Sequence, residues 1–198
     1  MPSYSCGTIL SPTEFRDELR DRYGLPLLNP PENCDGCTQK FSISHSFGCK
    51  VGGLVTSRQN GGRDTLICLE SAGFMPSNVR DEPIINPSRD AEGNQTLKDP
   101  ASGLEAELCG DRGDIPIRGF WEQSTDCIID VRISDVNQPS YLRRQPSSIL
   151  KGAETEKKRK YLAACLEQRR HFTPFVVSCE GMTAKEAAIF MCRIAKKL

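Results

Sequence analysis

Four residues near the N-terminus have the types and spacing of a metal site. The stretch "CDGCTQKFSISHSFGC" sets out Cys34-x2-Cys37-x7-His45-x3-Cys49. A CxxC turn brings two thiolates to one side of a tight loop, and a His and a Cys three residues apart can close a tetrahedron around one ion. Four N/S ligands with no vacant position are the pattern of structural zinc, so Zn²⁺ is expected to fold its own loop here and not to catalyse. Phe41 and Phe47 are expected to pack around the ion and exclude water.

A second constellation lies in "RGDIPIRGFWEQSTDCIIDVRI", residues Arg112 to Ile133. It reads as two strands joined by a polar turn, each with an aspartate among apolar neighbours: Asp114 and Asp130. A carboxylate taken out of water must be paired or metal-bound. In adjacent antiparallel strands opposed residues lie within about 5.5 Å at Cα, so both carboxylates could share one hard divalent ion, Mg²⁺ or Mn²⁺. Arg132, two residues after Asp130, projects from the same face and would set a positive charge beside a phosphate or an attacking water. The alternatives at this point are a turn residue at Asp114 and a surface ion pair between Asp130 and Arg132.

The third feature is a charge run. Between Lys151 and Arg170 there are seven basic residues against three acidic ones. Lys151, Lys157, Lys158, Arg159 and Lys160 form a local basic surface suited to a phosphate backbone, although a solvated helix face is the commoner origin of such a run. Lys157, Lys160 and Tyr161 share one helical face. The chain as a whole has 26 basic and 26 acidic side chains, so its global charge says nothing about a polyanionic partner.

These residues need elements to position them. "SPTEFRDELRDRYG" predicts a first helix capped by Ser11 or Thr13 and stopped at Gly24, with Leu10, Phe15, Leu19 and Tyr23 on one apolar face. The prolines of "LPLLNPPENC" end it, and the Cys/His segment follows, making a first unit of residues 1–53. Residues 54–198 make the second unit. It begins with a helix within "SRQNGGRDTLICLESAGF", weakened at Gly61 and Gly62 by about 1 kcal/mol each relative to Ala, and a short strand "DEPIIN". A polar insertion at about 87–108 follows, expected to be a loop or disordered. The aspartate strands, a long helix from about Ile149 to Gln168, the strand "HFTPFVVSC" and a last helix capped by Thr183 complete it. The order helix, strand, strand, strand, helix, strand, helix predicts an α/β layer with a mixed sheet.

The ten cysteines, without a basic n-region and apolar h-region in "MPSYSCGTIL", suggest a reducing, intracellular setting in which clustered cysteines bind metal. Cys68, Cys165 and Cys192, on helical apolar faces, and Cys127, in a strand, read as small buried hydrophobes. No apolar run approaches about 18 residues, so no membrane span is expected.

Taken together, a strand pair carrying two aspartates with a "D-x-basic" second strand, followed by a basic helix, resembles the restriction-endonuclease-like, PD-(D/E)xK nucleases. The stretch "EFRDELRDRYGLPLLNPPENCDGCTQKFSISHSFGCKVGGLVTSRQNGGRD" further resembles the segment joining reverse transcriptase to the C-terminal endonuclease in eukaryotic non-LTR retroelements. There a Cys/His zinc element precedes "CKKGGLV" and an "RHNEVRD"-like helix, and "RGDI…FW…DCIIDVRISD" and "EKKRKY" are similar to that endonuclease's core. The likeness runs from about Glu14 to Val177. It implies an α/β restriction-endonuclease-like mixed sheet with an α-β-β-β-α-β core, preceded by the small zinc-binding segment. It implies metal-binding carboxylates at Asp114 and Asp130, and a basic catalytic position at Arg132 or its substitute Lys157 or Lys160, with Tyr161 beside them. It further implies DNA as partner, held through its backbone with low sequence specificity, and a nuclear setting. Two departures stand out. Arg132 replaces the usual Lys and cannot surrender a proton; Gln59-Asn60-Gly61 replaces a His-Asn-Glu. With no reverse transcriptase in the 198 residues, a detached endonuclease domain is the first expectation. A catalytically inactive nucleic-acid-binding module is the second. A third, an unrelated zinc protein that binds other proteins, leaves Asp114 and Asp130 unexplained.

Overall fold

The structure is a computed structural model that describes residues 9–51, 54–73, 83–87 and 110–197. Most of the insertion expected at about 87–108 lies outside these residues, as does the Cys68 side chain. Among the described residues the chain folds as a mixed α/β protein with two small sheets and five helices.

The N-terminal part holds helix α1 (Pro12–Arg22) and the short α2 (Ile43–Gly48). Ser11 caps α1 in a reciprocal capping box with Glu14, and Gly24, at φ +65°, supplies the left-handed turn that ends it. The apolar stripe expected on α1 is present, but among the described residues nothing covers it: Phe15, Leu19 and Tyr23 stay exposed, and nothing in the helix is buried.

The main sheet has the order β3-β4-β5, formed by Ile115–Arg118, Asp126–Ser134 and His171–Ser178. β4 runs antiparallel to β3 and parallel to β5, so the sheet is mixed, as its sequence pattern predicts. The central strand is buried from Cys127 to Val131. A second, two-stranded sheet pairs β1 (Ile84–Pro87) with β2 (Gly110–Arg112). β2 departs from the expected order, which has one strand fewer: "GDR" breaks from the following strand at Gly113 and pairs with "IINP" instead.

Alternation along β4 divides the core. Cys127, Ile129 and Val131 face Leu66 of α3 (Leu54–Gly73) and Ala187, Phe190 and Ile194 of α5 (Lys185–Ala195). Ile128 faces the other way, onto Tyr161 and Cys165 of α4 (Pro146–Glu167). Asp130, two residues on, therefore faces α4. α3 runs through Gly61 and Gly62 without a break. A Cβ at Gly62 would stand 2.7 Å from Ile133 Cδ1, so the missing side chain lets the helix approach β4. Cys127 and Cys165 are buried as expected, but Cys192 is exposed. The buried α5 positions 187, 190 and 194 recur at helical spacing, and position 192 falls on the opposite side.

The cap of α5 also differs from expectation. Its N-cap is Ala184, without a side-chain cap, and Thr183 instead bridges to Val177. The missing acceptor comes from another helix: buried Glu154 on α4 accepts the Glu186 N–H at 2.7 Å. Glu154→Ala is expected to lower stability by about 1–2 kcal/mol, since it strands a helix-terminal donor in a partly buried position. Chemical denaturation reads the loss; Glu154→Gln should recover part of it.

Candidate functional site

Asp114 and Asp130 come together where the β3–β4 ladder ends. Ile115 pairs with Ile129, and the same register places Asp114 opposite Asp130. The Asp114 N–H donates to the Ile129 carbonyl at 2.9 Å, and its carboxylate accepts the Val131 N–H at 2.5 Å, taking over where the strand stops. Both aspartates line one cavity of about 430 Å³ together with Arg132, Glu156, Lys157 and Lys160. Tyr161 and Gln59 complete its wall.

Asp130 is 4% exposed. Burial pushes its pKa above the ordinary carboxylate value, and the charge of Asp114 adds to the rise, while Lys157 opposes it. Lys157 Nζ stands 2.6 Å from Asp130 Oδ2 and is the cation that pairs with this buried carboxylate. Asp114 and Asp130 thus present two carboxylates to the same cavity, with Lys157 beside the buried one. Lys160 donates to Asp111 Oδ1 and to the Tyr161 hydroxyl, each at 2.8 Å, and the Asp111 carboxylate is the main cause of its raised pKa. Both ammonium groups lie over the Tyr161 ring. Arg132 pairs with Glu156 at 2.8 Å, and this bond holds the Glu156 carboxyl below its usual range.

Glu156 is the cavity residue that sequence reasoning missed. Inside the run "ETEKKRK" it reads as a solvated neighbour of lysines, and only its position one turn before Lys160 hinted otherwise. Gln59 does reach the cavity, and it brings an amide where the resemblance implies a histidine; the carboxylate of that motif falls at Gly61, which has no side chain to offer.

The five basic residues assigned to DNA fare unequally. Lys157, Lys158 and Lys160 are each within an ion pair with the chain's own Asp130, Glu186 or Asp111. Lys151 and Arg159 are exposed and form no ion pair among the described residues.

Gly113 sets the approach of the strand that carries Asp114. A Cβ there would stand 2.3 Å from Ile128 Cγ2 and 3.3 Å from Ile85 Cδ1. Gly113→Ala is therefore expected to cost about 1–3 kcal/mol through overpacking. It should also displace Asp114, so a thermal melt and a metal titration should both respond.

The cysteine cluster is closed. The ligand atoms of Cys34, Cys37, His45 and Cys49 all lie within 4.8 Å of one another, and Cys37 Sγ is 3.0 Å from His45 Nε2. Bonds of about 2.0–2.3 Å to a central Zn²⁺ span such a set without rearrangement, so the cluster could hold a zinc ion. Local structure builds it. The Thr38 N–H returns to the Cys34 carbonyl, and Thr38 takes φ 61° to turn the chain. Gly36 is required because a Cβ would fall 2.4 Å from the Val51 carbonyl oxygen. Ser42 caps α2 through the His45 N–H, which fixes the ring's origin. Backbone N–H groups of Cys37 and Gly36 pull the Cys34 thiol down to about 7, toward the thiolate a metal needs. Phe47 is half-buried and carries Arg58 of α3 over its ring, tying the cluster to the first core helix.

Among the described residues no helix is long and apolar enough to cross a membrane. Compared with protein-family models and with curated proteins, the chain matches none.

Proposed function

We propose that this chain is a metal-dependent DNA endonuclease domain that hydrolyses phosphodiester bonds, with the restriction-endonuclease-like core and zinc element of non-LTR retroelement enzymes. The observation that carries this reading is the convergence of Asp114, Asp130 and Lys157 on one polar cavity. Asp114 and Asp130 would hold Mg²⁺ or Mn²⁺, and Cys34, Cys37, His45 and Cys49 a structural Zn²⁺. The divalent cation supplies Lewis-acid polarisation of the phosphoryl oxygen and a lowered pKa for the attacking water.

The chain's own side chains do the rest. Lys157, already drawn to Asp130, lies where its ammonium can turn from that carboxylate to a phosphoryl oxygen as charge builds there. Arg132 offers fixed donors and no base, so it acts on charge only. Its pairing with Glu156 holds the guanidinium at the cavity wall. Tyr161 keeps both lysines gathered over its ring. The buried base of the cavity excludes water from one side of the scissile group and strengthens each of these contacts.

One observation favours a second reading, an inactive nucleic-acid-binding module. Gln59 lines the cavity and cannot contribute a negative ligand. Plasmid nicking in Mg²⁺ or Mn²⁺, wild type against Asp130→Ala, separates the two. Metal-dependent nicks that vanish in the variant support the nuclease. DNA binding without nicks in either protein supports the module.

A further inference from the structure

A second cavity, of about 250 Å³, adjoins the first and shares Arg132 and Glu156 with it. Its far wall is Tyr141 and Arg144, from the connection between β4 and α4. That connection is tightly built. The 3-10 turn Pro139–Tyr141 lies within it, the Arg144 N–H donates to the Tyr141 carbonyl at 2.8 Å, and Pro146 opens α4 at once. The Arg144 guanidinium lies over the Tyr141 ring at 5.8 Å, and Tyr141 itself packs against Ile149, Ala153 and their neighbours. Arg144 is exposed and forms no ion pair among the described residues, unlike three of the lysines on α4. Gly152 opposite it keeps the space open: a Cβ there would already touch Arg144 Nη2 at 3.7 Å.

We propose that Arg144, steadied by Tyr141, is a phosphate-binding subsite for the DNA strand on one side of the scissile bond. The proposal rests on the nuclease reading for its ligand class. A strand whose phosphate sits at Asp114 and Asp130 can follow the shared wall of Arg132 and Glu156 into the second cavity. There a guanidinium, planar and always charged, meets the next backbone phosphate by its paired donors. Phosphate contact gives position and affinity, not sequence readout. The acidic Glu156 between the two subsites is neutralised by Arg132, so the path is not barred to a polyanion.

The test is binding of fluorescein-labelled duplex DNA and of a matching single strand, read by anisotropy. It uses zinc-loaded protein without Mg²⁺ or Mn²⁺, over a salt series, with inorganic phosphate as competitor. Arg144→Gln is expected to weaken binding about tenfold at low salt and to shallow the log–log salt slope by about 0.9 on duplex, or about 0.7 on single strand. Tyr141→Ala should weaken binding similarly, while Tyr141→Phe keeps the ring and the affinity. Lys196→Gln, which removes the same charge at the end of α5, should leave both quantities near wild type. Competition by inorganic phosphate at millimolar levels would assign the subsite to the free ion and overturn the proposal. So would an unchanged slope in Arg144→Gln, an equal loss in Lys196→Gln, or a wild type that binds no DNA. If nicking occurs but Arg144 does not matter, the subsite fails while the nuclease stands. If Arg144 sets the slope but no nicking is ever seen, the nuclease fails while the subsite stands.

Discussion

Asp130→Asn is expected to abolish both metal-dependent nicking and metal-induced stabilisation while leaving the metal-free fold intact or more stable. The sign follows from the raised pKa of Asp130, caused first by burial and then by Asp114. A carboxylate whose folded pKa exceeds its unfolded value favours the fold in its protonated form. That contribution is fully present below the unfolded value, near 3.8, and is lost as pH rises through the folded one. The metal-free wild type therefore loses stability as Asp130 ionises on its buried site, a loss that Asn, neutral at every pH, does not suffer. Lys157 loses its partner in the variant, but its side chain is 22% exposed and can turn to solvent. Metal reverses the comparison. A cation at 100 times its Kd stabilises by about 2.7 kcal/mol, a rise in Tm of roughly 5–10 °C for a chain of this size, and the variant should show none of it. Nicking should fall by about a thousandfold, the scale of losing a main electrostatic stabiliser. Melting curves with and without Mn²⁺ across pH 5 to 8, beside a nicking assay, read all three effects.

Removal of zinc is expected to unfold the N-terminal segment outright and to leave the α/β core standing. Between residues 9 and 51 only Cys34 and Cys49 are buried. No hydrophobic cluster among the described residues includes any residue of this segment. Without a core of its own, the segment depends on its metal, and structural zinc supplies roughly 10–16 kcal/mol of apparent binding energy in zinc-finger peptides. Cys37→Ser removes a ligand 3.0 Å from His45 Nε2 and should drop the zinc content from one per chain toward zero. Acid should act likewise, since binding needs thiolates and Cys34 lies at about 7. Limited proteolysis is the readout. The zinc-free protein should be cut before α3, with the fragment from α3 onward retaining its cooperative melt. A full zinc complement in Cys37→Ser, or cuts spread evenly over the core, would contradict the assignment.

Much of this was legible in the sequence because it lies in local pattern. The CxxC turn, the continuous apolar run in "DCIIDVRIS" and the helical spacing of Lys157, Lys160 and Tyr161 are read at short range, and the structure presents each in that form, the run as a strand buried on both faces. What escaped reading depends on partners distant in sequence. Thr183 looks like a cap until Glu154, 32 residues before Glu186, takes the α5 N-terminus. Lys158 looks like a phosphate contact until Glu186 holds it at 2.6 Å. The stripe on α1 predicts a buried face, but periodicity does not say what covers it, and within the described residues nothing does. Cys192 reads as part of an apolar helical face, yet the phase of α5 turns it outward. The extra strand β2 was hidden because Gly113, which breaks "GDRGDI" in two, acts through its close approach to Ile128 and Ile85.

The most direct measurement is a Mn²⁺ titration of zinc-loaded protein by electron paramagnetic resonance, with Asp114→Asn and Asp130→Asn alongside. Mn²⁺ should bind to the wild type beyond the zinc, be competed by Mg²⁺, and be lost in both variants while their circular dichroism is unchanged. No Mn²⁺ uptake by the folded wild type, or uptake that survives both substitutions, would contradict a metal site at Asp114 and Asp130.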